Sequence, residues 1–147
     1  MKYILTILLV KALLTDNPEL VGIYEYKSAE KDENHYIVFD IIDGQLKGVY
    51  FGTEDGKGHG IFFYATDMTN LAIDTEGKIE FEIGDRELFE TTQFKIVKIR
   101  SQRDEPVGHS RGLLKYKGQI NKDKIQLTCT SEFYDCWADE LIFERVK

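Results

Sequence analysis

The 147-residue sequence lacks the charge pattern of a nucleic-acid-binding protein and the long apolar run of a membrane-spanning one. Lys and Arg number 19 against 26 Asp and Glu, which gives a net charge of −7, and the basic residues form no cluster. Nucleic acids and anionic membranes both require a basic face. A membrane-crossing helix needs about 20 apolar residues, and the run Tyr3–Val10 is far shorter. We therefore predict no nucleic-acid partner and no integral membrane segment.

Motifs of catalysis, metal binding and cofactor binding are also missing. Ser110 and Ser131 do not stand in the Gly-x-Ser-x-Gly pattern of hydrolases. The Gly-rich segment 56–60 leads into a predicted strand at Ile61, whereas phosphate-binding loops lead into a helix. The histidines lie in predicted loops or at strand ends with no partner at a metal-binding spacing: His35, His59 and His109. The sequence predicts a protein that is not an enzyme and holds no metal or cofactor.

Alternating apolar and polar residues dominate the rest of the chain. Between Leu20 and Val146 we count about ten short alternating segments, joined by turns of Gly, Asp and Asn. Asp43-Gly44 between two apolar-rich runs is a strong hairpin signal. Because consecutive hairpins with one buried face favour closure over a sandwich, we predict an all-β fold, an antiparallel up-and-down β-barrel of about 8–10 strands. Residues 20–147 form this single domain.

Residues 1–19 are the segment that does not follow the β pattern. One early Lys, an apolar run and the small residue Ala12 resemble a short secretory signal peptide. The alternative is an N-terminal helix that covers one barrel end and stops before Asn17-Pro18. The first interpretation implies a secreted or periplasmic protein, and the second leaves it cytoplasmic.

Two cysteines bear on the same question. Cys129 and Cys136 are seven residues apart, and a strand-turn-strand path between them would bring their Cα atoms within the range of a disulfide. An even cysteine count and an export signal favour a disulfide. The alternative is two buried free thiols that pack as small hydrophobic groups.

Aromatic residues supply much of the apolar material, with nine Phe, eight Tyr and one Trp. We expect the following aromatic residues to line the barrel and contact a ligand: Tyr24, Tyr36, Tyr50, Phe62, Tyr64, Phe81, Tyr116 and Phe143. In a barrel of about eight strands such side chains either line a cavity or fill the interior. Both interpretations stay open at this point.

The two ends of the β pattern resemble the calycin superfamily, which includes lipocalins and fatty-acid-binding proteins. Residues 18–24 are similar to the start of that fold, where a short helical turn leads into a Gly-x-Trp strand, with Tyr24 here in place of Trp. Arg145 on the last strand resembles the basic residue that packs over that aromatic ring. The resemblance implies that Tyr24 and Arg145 close the barrel by packing together.

The same resemblance implies a non-enzymatic, lipocalin-like barrel that binds a small hydrophobic or amphipathic ligand. The competing prediction is a structural or interaction module whose core is filled and which binds no ligand. The two differ in whether the interior holds a solvent-accessible cavity.

Overall fold

Within the residues that it describes, the computed structural model has eleven β-strands and one short helical turn. It describes residues 17–27, 34–55, 61–84, 87–92, 95–98, 113–131, 136 and 140–147. The strands are β1 (Gly22–Lys27), β2 (Asn34–Ile42), β3 (Gln45–Asp55), β4 (Ile61–Asp67), β5 (Thr69–Ile73), β6 (Lys78–Ile83), β7 (Glu87–Thr92), β8 (Lys95–Lys98), β9 (Leu114–Ile120), β10 (Lys124–Ser131) and β11 (Glu140–Arg145).

All eleven strands belong to one antiparallel sheet that curls into a nearly closed barrel. Nine of them follow the wall in the order β5-β6-β9-β10-β11-β1-β2-β3-β4. Only Met68 separates β4 from β5, and its N–H donates to the carbonyl oxygen of Gly48 on β3 at 2.8 Å. The two ends of the nine-strand run are therefore joined by the chain itself. This confirms the predicted antiparallel up-and-down barrel.

One long hairpin forms the part of the wall where the barrel closes. Strand β5 pairs with β6, as in Ala72 opposite Glu80, and β4 pairs with β7, as in Phe63 opposite Phe89. The register in which β4 pairs with β7 is the same as the register in which β5 pairs with β6. It is interrupted by an irregularity between Thr69 and Ala72. Asn70 in this bulge has a positive φ of 53°. The bulge bends the arm so that it follows the curved wall.

The tight turns follow the local sequence signals. Asp43 and Gly44 connect β2 and β3. Their φ values of 53° and 72° are both positive, as the favoured two-residue hairpin turn requires. This confirms the hairpin predicted at Asp43-Gly44. Between β5 and β6, the Asp74 carboxylate accepts hydrogen bonds from the N–H groups of Glu76 and Lys78, both at 2.9 Å.

Inward-facing residues on the strands make one core. On β6, Ile79, Phe81 and Ile83 are buried while the alternating residues face outward. Gly48 on β3 provides room where two inward side chains cross, because a Cβ atom there would collide with Met68 and lie 2.9 Å from the Phe39 ring. The core therefore follows the period-2 alternation expected of a strand with one buried face.

The described chain begins at Asn17, ahead of a 3₁₀ turn, Pro18–Leu20. The Asn17 side chain caps this turn by accepting a hydrogen bond from the N–H of Glu19 at 3.1 Å. Leu20 is buried in the core. Residues 1–16, to which the signal-peptide and helix interpretations apply, lie outside the described residues. In the part of the chain that the structure describes, no helix has the length and apolar character to span a membrane.

Candidate functional site

The interior has two chemically different ends, and Arg145 organises one of them, which we call the closed end. Its Nη1 donates to the carbonyl oxygens of Glu19 at 2.8 Å and Lys122 at 2.9 Å, and its Nη2 donates to that of Val21. These carbonyl groups belong to the 3₁₀ turn, the approach to β1 and the β9–β10 hairpin. One planar guanidinium group therefore holds three chain segments together across the start of the barrel.

Tyr24 lies beneath this guanidinium group. The two residues are opposite each other on β1 and β11, and Arg145 Cζ is 5.8 Å from the Tyr24 ring centroid. The fully buried Tyr24 hydroxyl is within hydrogen-bond range of the carbonyl oxygens of Leu20 (3.2 Å) and Lys122 (3.4 Å). Burial raises the pKa of Tyr24, and Asp123 adds to the rise, although the Arg145 charge opposes it.

The other end of the interior contains what we call the polar aromatic cluster: Tyr26, His35, Tyr50, Phe81, Tyr116 and Phe143. Phe81 stacks on Tyr116 with ring centroids 4.9 Å apart, and Tyr116 stacks on Tyr50 at 5.7 Å. Tyr50 also meets Phe143 edge-to-face at 6.1 Å. A continuous line of contacting rings therefore crosses the interior, from β6 through β9 to β3 and β11.

A buried imidazole–phenol pair gives the cluster its polar character. The Tyr50 hydroxyl lies 3.2 Å from His35 Nδ1, and both side chains are almost fully buried. His35 also contacts Tyr26, the half-buried member of the cluster, at a centroid distance of 6.4 Å. Gly52 lies directly opposite His35 on β3 and adds no side chain to the interior beside it.

Sequence reasoning placed His35 at a strand end and did not include it in the site. The signal that identifies it is the alternation of His35, Ile37 and Phe39, which puts all three on the buried face of β2. Tyr26 was also missed, although it follows Tyr24 by two residues and so lies on the same face of β1.

The residues predicted to line the interior lie in different places. Tyr50, Phe81, Tyr116 and Phe143 meet in the polar aromatic cluster, and Tyr24 lies in the closed end. Tyr36 lies on the outer face of β2, because its neighbours His35 and Ile37 point inward, and its hydroxyl donates to Glu25 at 3.2 Å. Tyr36 therefore does not belong to the interior lining in which the sequence analysis placed it. Phe62 and Tyr64 belong to β4, but their side chains lie outside the described part of the structure.

The two cysteines lie at disulfide distance, with Cα atoms 5.8 Å apart. Cys129 is on β10 opposite Tyr116 and packs against the core. A disulfide between them would connect Cys136, beyond the end of β10, to the half of the barrel that holds the polar aromatic cluster. A cysteine pair with this geometry is typical of proteins from oxidising compartments.

No three His, Cys, Asp or Glu side chains converge as a metal site within the described residues. The fold and interior define an antiparallel β-barrel with an aromatic core, which is compatible with a calycin-like fold. Comparison of the chain with protein-family models, curated proteins and solved structures gave no match.

Proposed function

We propose that this protein is a lipocalin-like barrel that binds a small hydrophobic or amphipathic ligand at the polar aromatic cluster, without catalysis, in an oxidising compartment outside the cytoplasm. The observation that carries the proposal is the buried contact between the side chains of Tyr50 and His35 in a barrel core made mostly of apolar side chains. The cysteine pair at disulfide distance supports the compartment.

A buried imidazole and phenol are costly if stability is the only requirement. Each polar group loses its hydration, and a hydrogen bond between the two restores only part of that loss. A pair of apolar side chains of similar size would fill the same space without this cost. Buried polar groups in an apolar interior are therefore characteristic of binding sites, where a few of them orient the ligand.

The chemistry of the cluster fits an amphipathic ligand. Its rings offer flat apolar surface, and removal of ligand surface from water contributes about 25 cal/mol per Å² before the costs of binding. Tyr50 and His35 supply a donor and an acceptor for a hydroxyl or carboxyl group. Because the rings contact one another, the ligand displaces at least one of them, and the half-buried Tyr26 is the member with most freedom to move.

The same ring contacts favour the second candidate, a structural or interaction module with a filled core. Tyr50, Phe81 and Phe143 are each at most 1% exposed, so these rings have almost no accessible surface of their own. If the barrel works in this way, its function lies on its outer surface.

A titration with the fluorescent fatty acid cis-parinaric acid separates the two candidates. The ligand-binding proposal predicts saturable binding at micromolar concentration. Tyr50→Phe should weaken binding about tenfold, because one hydrogen bond to the ligand or its orienting group is lost. The matched control is Tyr24→Phe, which also removes a buried hydroxyl but at the closed end, and it should leave the affinity unchanged. Absence of saturable binding to the native protein would favour the filled module.

A further inference from the structure

Tyr26 fills a flat space between two other rings of the polar aromatic cluster. It is the last residue but one of β1 and lies directly opposite His35 on β2 and Phe143 on β11. The Tyr26 ring centroid is 6.4 Å from that of His35 and 5.7 Å from that of Phe143, at interplanar angles of 78° and 55°. Tyr26 is half-buried, whereas the other members of the cluster are at most 4% exposed. Tyr26 is therefore the member of the cluster that meets solvent most.

Further rings hold the neighbours of Tyr26 in place. The Tyr50 ring meets the His35 ring at a centroid distance of 5.8 Å and the Phe143 ring at 6.1 Å, both edge-to-face. Tyr50 in turn stacks on Tyr116 at 5.7 Å. Closely packed side chains relax only partially around a space that one of them leaves. When Tyr26 turns away, the space that it leaves therefore keeps the flat shape of a ring, with ring walls on both sides.

We infer that the ligand of the polar aromatic cluster carries a planar aromatic ring, which takes the place of the Tyr26 ring between His35 and Phe143. This inference rests on the ligand-binding proposal above and adds the chemical class of the ligand. Aromatic pairs in edge-to-face or tilted contact contribute more than the burial of their surface alone. A planar ring restores the contacts with His35 and Phe143 that Tyr26 gives up, whereas a saturated acyl chain buries apolar surface without restoring them.

Calorimetric titration with two carboxylic acids of equal carbon number tests this ligand class. 2-Naphthoic acid has fused planar rings, and undecanoic acid has a flexible saturated chain that exposes more apolar surface. Burial of apolar surface alone therefore favours undecanoic acid. Because only the planar acid restores the ring contacts, we expect 2-naphthoic acid to bind the native protein at least about tenfold more tightly.

Tyr26→Ala removes the ring that the ligand has to displace. We expect this variant to bind 2-naphthoic acid about tenfold more tightly than the native protein, which corresponds to a population of about one-tenth for the displaced state of Tyr26. Tyr36→Ala is the matched control, because it removes a half-buried tyrosine ring from the outer face of β2, and it should leave the affinity unchanged. Weaker or unchanged binding by a Tyr26→Ala protein that still melts cooperatively would overturn the inference.

Phe143→Leu separates the ring contacts from the rigidity of the ligand. The variant keeps an apolar side chain at this position but removes one ring wall, while each acid keeps its own flexibility. We expect the preference for 2-naphthoic acid over undecanoic acid to fall by about threefold or more. The preference is a ratio of two affinities measured on the same variant, so a partial loss of stability does not produce this change. An unchanged ratio would overturn the inference.

The titrations of the native protein distinguish a failure of this inference from a failure of the ligand-binding proposal. Saturable binding of cis-parinaric acid, with undecanoic acid bound as tightly as 2-naphthoic acid or more tightly, would overturn the aromatic class and leave ligand binding in place. Absence of saturable binding for all three acids would overturn both. Saturable binding with the expected preference for 2-naphthoic acid supports both.

Discussion

Tyr24 and Tyr50 are both buried inside the same barrel, yet their hydroxyl groups meet different kinds of partner. Tyr24, at the closed end, is held by the carbonyl oxygens of Leu20 and Lys122 under the guanidinium of Arg145. Tyr50, in the polar aromatic cluster, meets the side chain of His35. Backbone partners are fixed by the fold, whereas a side-chain partner can turn toward another molecule.

Under the ligand-binding proposal, this difference assigns stability to the closed end and binding to the polar aromatic cluster. Arg145 and Tyr24 donate hydrogen bonds to backbone carbonyl groups where the first and last strands meet, so they stabilise the closure. The His35–Tyr50 pair is a buried polar contact between two side chains, and burying such groups carries a cost that an apolar core would avoid. We therefore expect changes at the closed end to lower stability, and changes in the cluster to lower ligand affinity with little effect on stability.

Removing Arg145 should have the largest effect. Arg145→Ala removes the guanidinium donor from three backbone carbonyl groups, and we expect the free energy of unfolding to fall by about 3 kcal/mol. Arg145→Lys should recover only part of this loss, because one ammonium group cannot reproduce the planar fork. Urea denaturation measures both, with Lys47→Ala on an exposed strand position as the control. If Arg145→Ala lowers the free energy of unfolding no more than the control does, Arg145 does not stabilise the barrel closure.

Replacing both cysteines should come next. Cys129→Ser with Cys136→Ser should lower the free energy of unfolding by about 2 kcal/mol, since a disulfide across a short loop lies at the low end of the usual range. Thiol titration of the denatured, unreduced protein provides the independent check. We expect no reactive thiol in material from an oxidising compartment, and two per chain would show that the bond is absent.

Gly22→Ala tests the closed end from the backbone side. Gly22 has a positive φ of 152°, and a Cβ atom there would lie 2.9 Å from Arg145 Nη2. Gly44 has a positive φ of 72° with no atom within 4 Å of its Cβ position. Gly44→Ala should therefore cost about 1 kcal/mol from backbone strain alone. Gly22→Ala should cost more, because it also displaces the guanidinium group, and equal costs in urea denaturation would argue against a fixed guanidinium.

Much of the fold could be predicted from local patterns, because hairpin turns and period-2 alternation are short-range signals. Asp43-Gly44 and the β6 alternation are examples. The continuity of β4 with β5 through Met68 was not predicted, because pairing with two different neighbours depends on the curvature of the whole sheet. Tyr36 was placed inside on its residue type, although its position between His35 and Ile37 puts it outside. His35 shows the reverse error, since residue type suggested solvent and alternation places it in the core.

The smallest expected effect is a pH dependence at the closed end. Because the pKa of Tyr24 is raised in the folded state, its contribution to stability is complete below the ordinary Tyr pKa of about 10. It is lost as pH rises from there through the folded pKa. Tyr24→Phe should make urea denaturation less sensitive to pH above about 10. Tyr36→Phe is the matched control on the outer face, where burial and Glu25 also raise the pKa of the tyrosine. It should reduce the pH sensitivity of urea denaturation less than Tyr24→Phe does, because Tyr36 is only half-buried. Equal alkaline sensitivity in Tyr24→Phe and the native protein would contradict the account.

The contrast between the two ends is tested most directly by NMR of protein labelled with ¹³C in the rings of its eight tyrosines. Tyr24→Phe and Tyr50→Phe assign the two decisive signals by their disappearance. On titration with cis-parinaric acid, the account predicts that the Tyr50 ring signal shifts in proportion to occupancy while the Tyr24 signal stays in place. A Tyr24 signal that shifts together with that of Tyr50, or a Tyr50 signal that does not move at saturation, would contradict it.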